Sequence, residues 1–324
     1  MKEIDKYILR PYKKGDEKGI LSLFEKVFGY KRSMAFWKWK YQENPLGIYA
    51  YVALRDKMIV SHCAGIPVKF KLKDKIITAF QLVDFMNHPK YRGGFGRSNT
   101  FVVMANRFYA QYCGPDKISF VYGFPGERHR RLGEIMFGYR PVYPVYSLKF
   151  EQKSLPSSFL TDFRYSVIES KEIPQEVDQL WEKIKDDFSL SVIRNKSYLI
   201  HRYKNHPEVE YRFFALRKRI KKDLVGWVVT RLIDKTIYIM DLGVELSHLS
   251  SLKKLFKLFL KKDINNIIAW LPENSPYALF FENEVGFIGK KEEFFLECIP
   301  YEDDLTMEEI RKGFFYTLGD YDVY

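Results

Sequence analysis

The chain is 324 residues long and carries 53 lysines and arginines against 41 aspartates and glutamates, a formal charge of +12. That excess favours anionic partners, such as phosphates, a nucleotide cofactor, nucleic acid or acidic lipid heads, without choosing among them. No run of about 18 apolar residues occurs, which excludes a membrane-spanning helix, and three well-separated cysteines, Cys63, Cys113 and Cys298, exclude a disulfide framework and point to a reducing cytoplasm.

The opening "MKEIDKYILRPYKKGDEKG" is charged throughout and lacks the apolar core of a signal peptide. Within it "YILRPY" reads as a strand, and "GDEKGILSLFEKVF" follows as a helix with apolar positions 20, 23, 24 and 27. "MAFWKWKY" reads as a second, short helix. "YAYVAL", "MIVSHCAGIPVKFKL" and "IITAFQLVDFMNH" read as three strands, the last two turning at "KDK". A glycine- and arginine-rich stretch comes next, then a helix from about Asn99 to Tyr112 with Phe101, Ala105, Phe108 and Tyr112 on its buried stripe. "ISFVYGF" is a strand, "ERHRRLGEIMFG" a helix and "VYPVYSLKFE" a final strand. The predicted order is β-α-α-β-β-β-α-β-α-β.

The sequence then repeats itself. At a shift of 162, Tyr41 meets Tyr203, Pro45 meets Pro207, Tyr49 meets Tyr211, and "ALR" at 53–55 meets "ALR" at 215–217. Further on, Gly65 matches Gly226, Asp84 matches Asp241, and "FGY" at 137–139 matches "VGF" at 285–287 as the shift drifts down to 148. An ordered series with a slowly falling shift is the mark of duplication with loop trimming. The expected copies are residues 1–150 and 165–300, joined through "EQKSLPSSFLTDFR" and followed by a tail at 301–324. A lysine-rich helix at 252–262 buries positions 252, 255, 256 and 259.

The stretch "NHPKYRGGFGRSN" crowds three glycines and two arginines before a helix. A helix start leaves unpaired amides and a partial positive charge, and glycine lets the backbone approach a ligand without a Cβ in the way. Anions settle at such places. Gly93, Gly94, Phe95 and Gly96 would supply amides, Arg92 and Arg97 full charges, and Ser98 or Asn99 the helix N-cap.

The element order, with "DFMNHPKYRGGFGRS" between the fourth strand and third helix and "LGEIMFGY" later, resembles the GNAT superfamily of acyl-CoA N-acyltransferases. The resemblance implies an α/β fold of two tandem GNAT-like domains, each a mostly antiparallel twisted sheet flanked by helices, as in N-myristoyltransferases and Fem-type aminoacyltransferases. It implies acetyl-CoA or another acyl-CoA as cofactor, its pyrophosphate on residues 92–98 with Met86 on the adjoining strand. The loop departs from the family spacing of a basic or amide residue followed by glycines: counted from Arg92 the glycines miss, and counted from Tyr91 Gly94 and Gly96 fit but a tyrosine leads. The second copy passes from strand to helix through "DLGVELSHLSS", with one glycine and an acidic Glu245, so its cofactor loop is read as degenerate.

Acyl transfer to an amine needs a base for the amine's proton, and an acid for the leaving thiolate helps. Asp84, near the end of the fourth strand, is either that base or a structural carboxylate shared with Asp241. The family pattern places an acidic tyrosine four residues before a glycine, where this chain has Glu134. Tyr122, on the fifth strand, is either the alternative donor or a core tyrosine. His88 is a base or a strand-end cap. The histidines are scattered, so no metal site is expected, and His62 and Cys63, adjacent on a strand, point to opposite faces.

The expected activity is N-acyl transfer, acetyl first, to the amine of a small molecule, an amino sugar or a peptide. Two alternatives stand beside it: a Fem-like transfer from charged tRNA, which the charge suits but which lacks that family's helical hairpin insertion, and a non-catalytic binding protein of the same fold.

Overall fold

The computed structural model describes residues 6–92, 99–151, 162–261 and 263–322. They pack as two compact units. The first takes the chain as far as Phe70, Ile76–Tyr143 and Phe294–Arg311, and the second takes Lys71–Lys75, Pro144–Glu293 and Lys312–Tyr324. The division therefore differs from the expected one of 1–150, 165–300 and a tail. The stretch 294–300 joins the first unit's sheet, and the expected tail contributes buried Phe314, Phe315, Tyr316 and Leu318 to the second unit.

In the first unit the predicted elements appear in the predicted order. They are β1 (Ile8–Pro11), α1 (Glu17–Phe28), α2 (Met34–Trp37) running into a π turn (Lys38–Gln42), β2 (Tyr49–Arg55), β3 (Met58–Leu72), β4 (Lys75–Asn87), α3 (Thr100–Tyr112), β5 (Phe120–Gly123) and α4 (Glu127–Phe137), followed by β6 (Arg140–Glu151), which from Pro144 on belongs to the second unit. Helix α1 buries Ile20, Leu23 and Phe24, the stripe its spacing called for. Asn99 caps α3 by accepting from the Phe101 amide at 2.9 Å, which resolves the choice between it and Ser98 among the described residues.

The second unit holds β7 (Tyr165–Ser170), α5 (Val177–Ile184), β8 (Leu190–Val192), α6 (Lys196–Leu199) running into a π turn (Ile200–Lys204), β9 (Arg212–Lys218), β10 (Leu224–Ile233), β11 (Thr236–Val244), α7 (Ser251–Phe259), β12 (Asn266–Trp270) and α8 (Pro276–Phe280) with a further π turn. Then come β13 (Ile288–Pro300), which ends in the first unit, α9 (Met307–Gly313), and β14 (Phe314–Phe315), which pairs β8. Leu252, Leu255, Phe256 and Phe259 of α7 are buried, as the pattern predicted.

Each unit is built on a mostly antiparallel sheet, and β8 and β14 of the second unit pair parallel beside it. The first runs β1-β2-β3-β4-β5-β13, with β4 parallel to β5. The second runs β6-β12-β11-β10-β9-β7, with β11 parallel to β12. In the first unit α3 covers one sheet face through Phe101, Met104, Ala105 and Phe108 on Phe80 and Val121. Helices α1 and α2 cover the other, on Val52, Ala64, Val83 and Met86. No helix among the described residues is long and apolar enough to cross a membrane.

Some of the matched positions share local structure. The two helix-plus-π-turn pieces are offset by 162, and each begins on a capping side chain, Ser33 accepting from Phe36 and Asn195 from Tyr198. Gly138 and Gly286, offset by 148, end helical segments at φ 79° and 92°, where only glycine is unstrained.

Candidate active site

The first unit opens where β4 and β5 part company. Their register runs Ala79 to Phe120, Phe80 to Val121 and Gln81 to Tyr122. Beyond that β4 carries on to Asn87 while β5 ends at Gly123. Gly123 keeps the mouth clear: a Cβ there would meet only Leu82, at 3.8 Å.

Along β4 the pleat slips at Asp84, which sits at φ 50°. Val83 packs on the α1–α2 side, Asp84 bonds to residues of that same side, and Phe85 returns to the α3 side. Two consecutive side chains on one face is what a bulge produces. It turns the Asp84 carboxylate away from the α3 side and onto α2's π turn. There the Lys40 ammonium lies 3.0 Å from each of its oxygens, and the Tyr41 hydroxyl donates to one of them. The buried His62 ring donates from Nδ1 to the Asp84 carbonyl at 2.8 Å. Burial alone would raise the Asp84 carboxyl, but Lys40, His62 and Tyr41 hold it below the usual carboxylate range. Burial in turn lowers the His62 ring below its ordinary value. His62 and Cys63 do face opposite ways: Cys63 belongs to the core under α3.

The matched Asp241 repeats the bond to a tyrosine, accepting from Tyr203 at 2.9 Å. Its cation is Arg194, 3.1 Å away, which also meets Asp320 at 2.5 Å. Burial pushes Asp241 up to about 6, with Arg194 opposing and Asp320 reinforcing.

The other sequence candidates separate. Tyr122 is 1% exposed among Phe70, Phe120 and Phe124. It therefore faces away from Gly123's side of β5. Glu134, on α4, accepts from Arg130 at 2.7 Å. Met86 is buried under α1, so only its main chain faces outward from that core. Arg92 is exposed, its Nε donating to the Asn87 carbonyl at 3.0 Å just past the end of β4. His88 caps the turn after β4, accepting from the Lys90 amide. Gly93, Gly94, Phe95, Gly96, Arg97 and Ser98 lie outside the described residues.

One carboxylate escaped the sequence reading. Glu297 on β13 pairs across from Gly123, is 1% exposed, and has neither carboxylate oxygen bonded among the described residues. The signal was available: "FFLECIP" sets one acid inside an apolar strand. Which strand it would join was not.

Residues 9–134 match the family model described as an acetyltransferase (GNAT) domain. None of the curated proteins matches the chain. Among solved structures, the chain is similar to a conserved protein of unknown function from Enterococcus faecalis V583, described as a "Probable N-Acyltransferase", at 13% identity and TM-score 0.66 over 91% of this chain and 72% of that one. It is similar to a GCN5-related N-acetyltransferase from Anabaena variabilis ATCC 29413 at 10% identity and TM-score 0.66, over 91% and 73%. A GCN5-related N-acetyltransferase from Kribbella flavida gives 13% identity and TM-score 0.62 over 91% and 72%. At these identities the likeness establishes the fold.

Proposed function

We propose, on the premise that this chain belongs to the GNAT superfamily of acyl-CoA-dependent acyltransferases through residues 9–134, that it moves an acyl group, acetyl in the first instance, to an amine held at the mouth between β4 and β5. The observation that carries this reading is the parallel β4–β5 pair that ends at Gln81 and Tyr122 while β4 runs on to Asn87. A strand edge left without its neighbour offers main-chain donors and acceptors to an extended, amide-bearing arm. Arg92, the glycines at 93, 94 and 96, Arg97, Ser98 and the capped start of α3 would hold the diphosphate of the same molecule. Acyl-CoA supplies the acyl group as a thioester open to attack by nitrogen.

Asp84 is assigned a structural role in place of the base role the sequence offered, because its carboxylate is occupied by Lys40 and Tyr41. Tyr122 is assigned to the core, and Glu134 to the charge setting of α4. The second half is read as a tandem copy that kept the Tyr–Asp bond and lost the cofactor loop. Its acceptor is an amine of a small molecule, an amino sugar or a peptide. Cytoplasmic residence suits its three buried, free cysteines.

The test is ligand-dependent melting. Acetyl-CoA at a few hundred micromolar should raise the melting temperature, by mass action on the folded state, and Gly94→Glu should abolish the rise while the protein stays folded. A rise with charged tRNA instead, steeply salt-dependent, would favour the Fem-like alternative. No response to either ligand would favour a binding protein.

A further inference from the structure

We infer that Glu297 is the catalytic base, the group that takes the proton from the acceptor amine. This rests on the acyltransfer reading and adds the residue that reading lacks.

The placement comes from register. Glu297 is directly opposite Gly123 in the antiparallel β5–β13 pair, and residues directly opposite share a face. On that face Phe295, two residues back, lies under the Arg130 guanidinium at 5.1 Å, so the face is the one α4 covers. Gly123 contributes no side chain, and a Cβ in its place would touch only Leu82. The buried carboxylate thus lies beside a residue without a side chain at the end of β5, where β4 and β5 diverge.

Its chemistry is that of a base in waiting. A carboxylate with a structural role is paired, as Asp84 is with Lys40 and Asp241 with Arg194. Both oxygens of Glu297 are buried and unbonded among the described residues, a costly state that a purely structural residue has no reason to keep. The groups facing it are Arg130 and Glu134 on α4, already bonded to each other, and Tyr139, whose hydroxyl is taken by Tyr109 at 2.7 Å; Cys298, next along the strand, points to the other face. Burial, reinforced by Glu134 and partly offset by Arg130, pushes the Glu297 carboxyl up to about 7, where a general base works best.

The step balances simply. Glu297 takes one proton from the incoming ammonium. The freed nitrogen forms a bond to the thioester carbonyl carbon, the carbon–sulfur bond breaks, and the thiolate leaves with the second proton of that nitrogen.

The experiment follows carboxyl carbons of the 13C-labelled full chain through pH, as wild type, Glu297→Gln and Glu134→Gln, with and without acetyl-CoA. One glutamate should titrate near 7, disappear in Glu297→Gln, shift to lower pH in Glu134→Gln, and respond to saturating acetyl-CoA. With an amine from a screened panel that the wild type acylates, Glu297→Gln should lose roughly 100- to 10,000-fold in turnover with acetyl-CoA affinity unchanged by calorimetry. If acetyl-CoA binds but Glu297 titrates as an ordinary glutamate or ignores the ligand, or if Glu297→Gln turns over within about threefold of wild type, the inference is overturned and the acyltransfer reading stands. If acetyl-CoA does not bind the wild type, that reading fails and this one goes with it.

Discussion

The Lys40 ammonium and the Asp84 carboxylate form a nearly sealed ion pair, 3.0 Å to each oxygen, with side chains 5% and 11% exposed. Desolvating two charges is costly, and attraction offsets that cost only when the remaining bonding capacity is also used. Here Tyr41 uses part of it. The bulge that creates Asp84's strained φ is therefore held in place by an electrostatic clamp to the neighbouring π turn.

Breaking the clamp from the cation side should destabilise strongly. Lys40→Met leaves a buried carboxylate without its main partner, and about 3–5 kcal/mol of stability should go, measured by urea unfolding. In the wild type the folded Asp84 carboxyl lies below its unfolded value. Its contribution is complete above the unfolded value and is lost as pH falls through the folded one. In Lys40→Met burial raises the folded Asp84 carboxyl, so the variant's deficit against wild type should shrink as pH falls and the carboxyl takes up a proton. Asp84→Asn should lower stability yet leave turnover of the folded protein within about threefold, since interactions away from the reacting atoms need not alter the chemical step. A hundredfold loss of turnover with an unchanged melting temperature would return Asp84 to the chemistry.

Glu297 should show the opposite pH sign. Its folded carboxyl titrates near 7 against an ordinary 4.5, so the folded state holds the proton more tightly. That contribution is complete below the ordinary value and is lost as pH rises through 7. Glu297→Gln never charges. It should match the wild type near pH 4 and exceed it by about 1–3 kcal/mol at pH 8, seen as diverging urea midpoints. A functional group kept at the expense of stability behaves this way, and equal midpoints at both pH values would contradict the assignment of an unpaired buried acid.

Gly65 is fixed by contact. A Cβ there would lie 2.5 Å from the Phe80 ring, which packs on Tyr49 with centroids 4.9 Å apart, and Tyr49 is Gly65's cross-strand partner. Gly65→Ala should cost about 1–3 kcal/mol by overpacking. The matched Gly226→Ala, where a Cβ would meet Val244 at 2.8 Å, should act in the same direction. Thermal melts of both variants decide it.

In the second unit the buried cation is Arg194, shared by Asp241 and Asp320. Arg194→Leu should remove about 3–5 kcal/mol by stranding two acids. Adding Asp241→Asn or Asp320→Asn should recover part of the loss, and a double-mutant cycle for each pair reads its coupling directly.

Much of this protein is local, and local order is legible in residues. Periodicity marked α1, α3 and α7, alternation and turn residues marked the strands of the first half, and the matched positions Tyr41 and Tyr203, Asp84 and Asp241 were legible as matches, though not as the hydrogen-bonded pairs they form. What the residues could not disclose was decided by pairing across long separations. The bulge at Asp84 reverses which side its carboxylate serves, and a pleat carried forward by counting cannot foresee a slip. Glu297 reaches Gly123 because β13 ends against β5 rather than staying within its own half. Strand edges look alike from within the strand, so the choice of neighbour belongs to the packed whole, and with it the identity of the carboxylate left unpaired among the described residues.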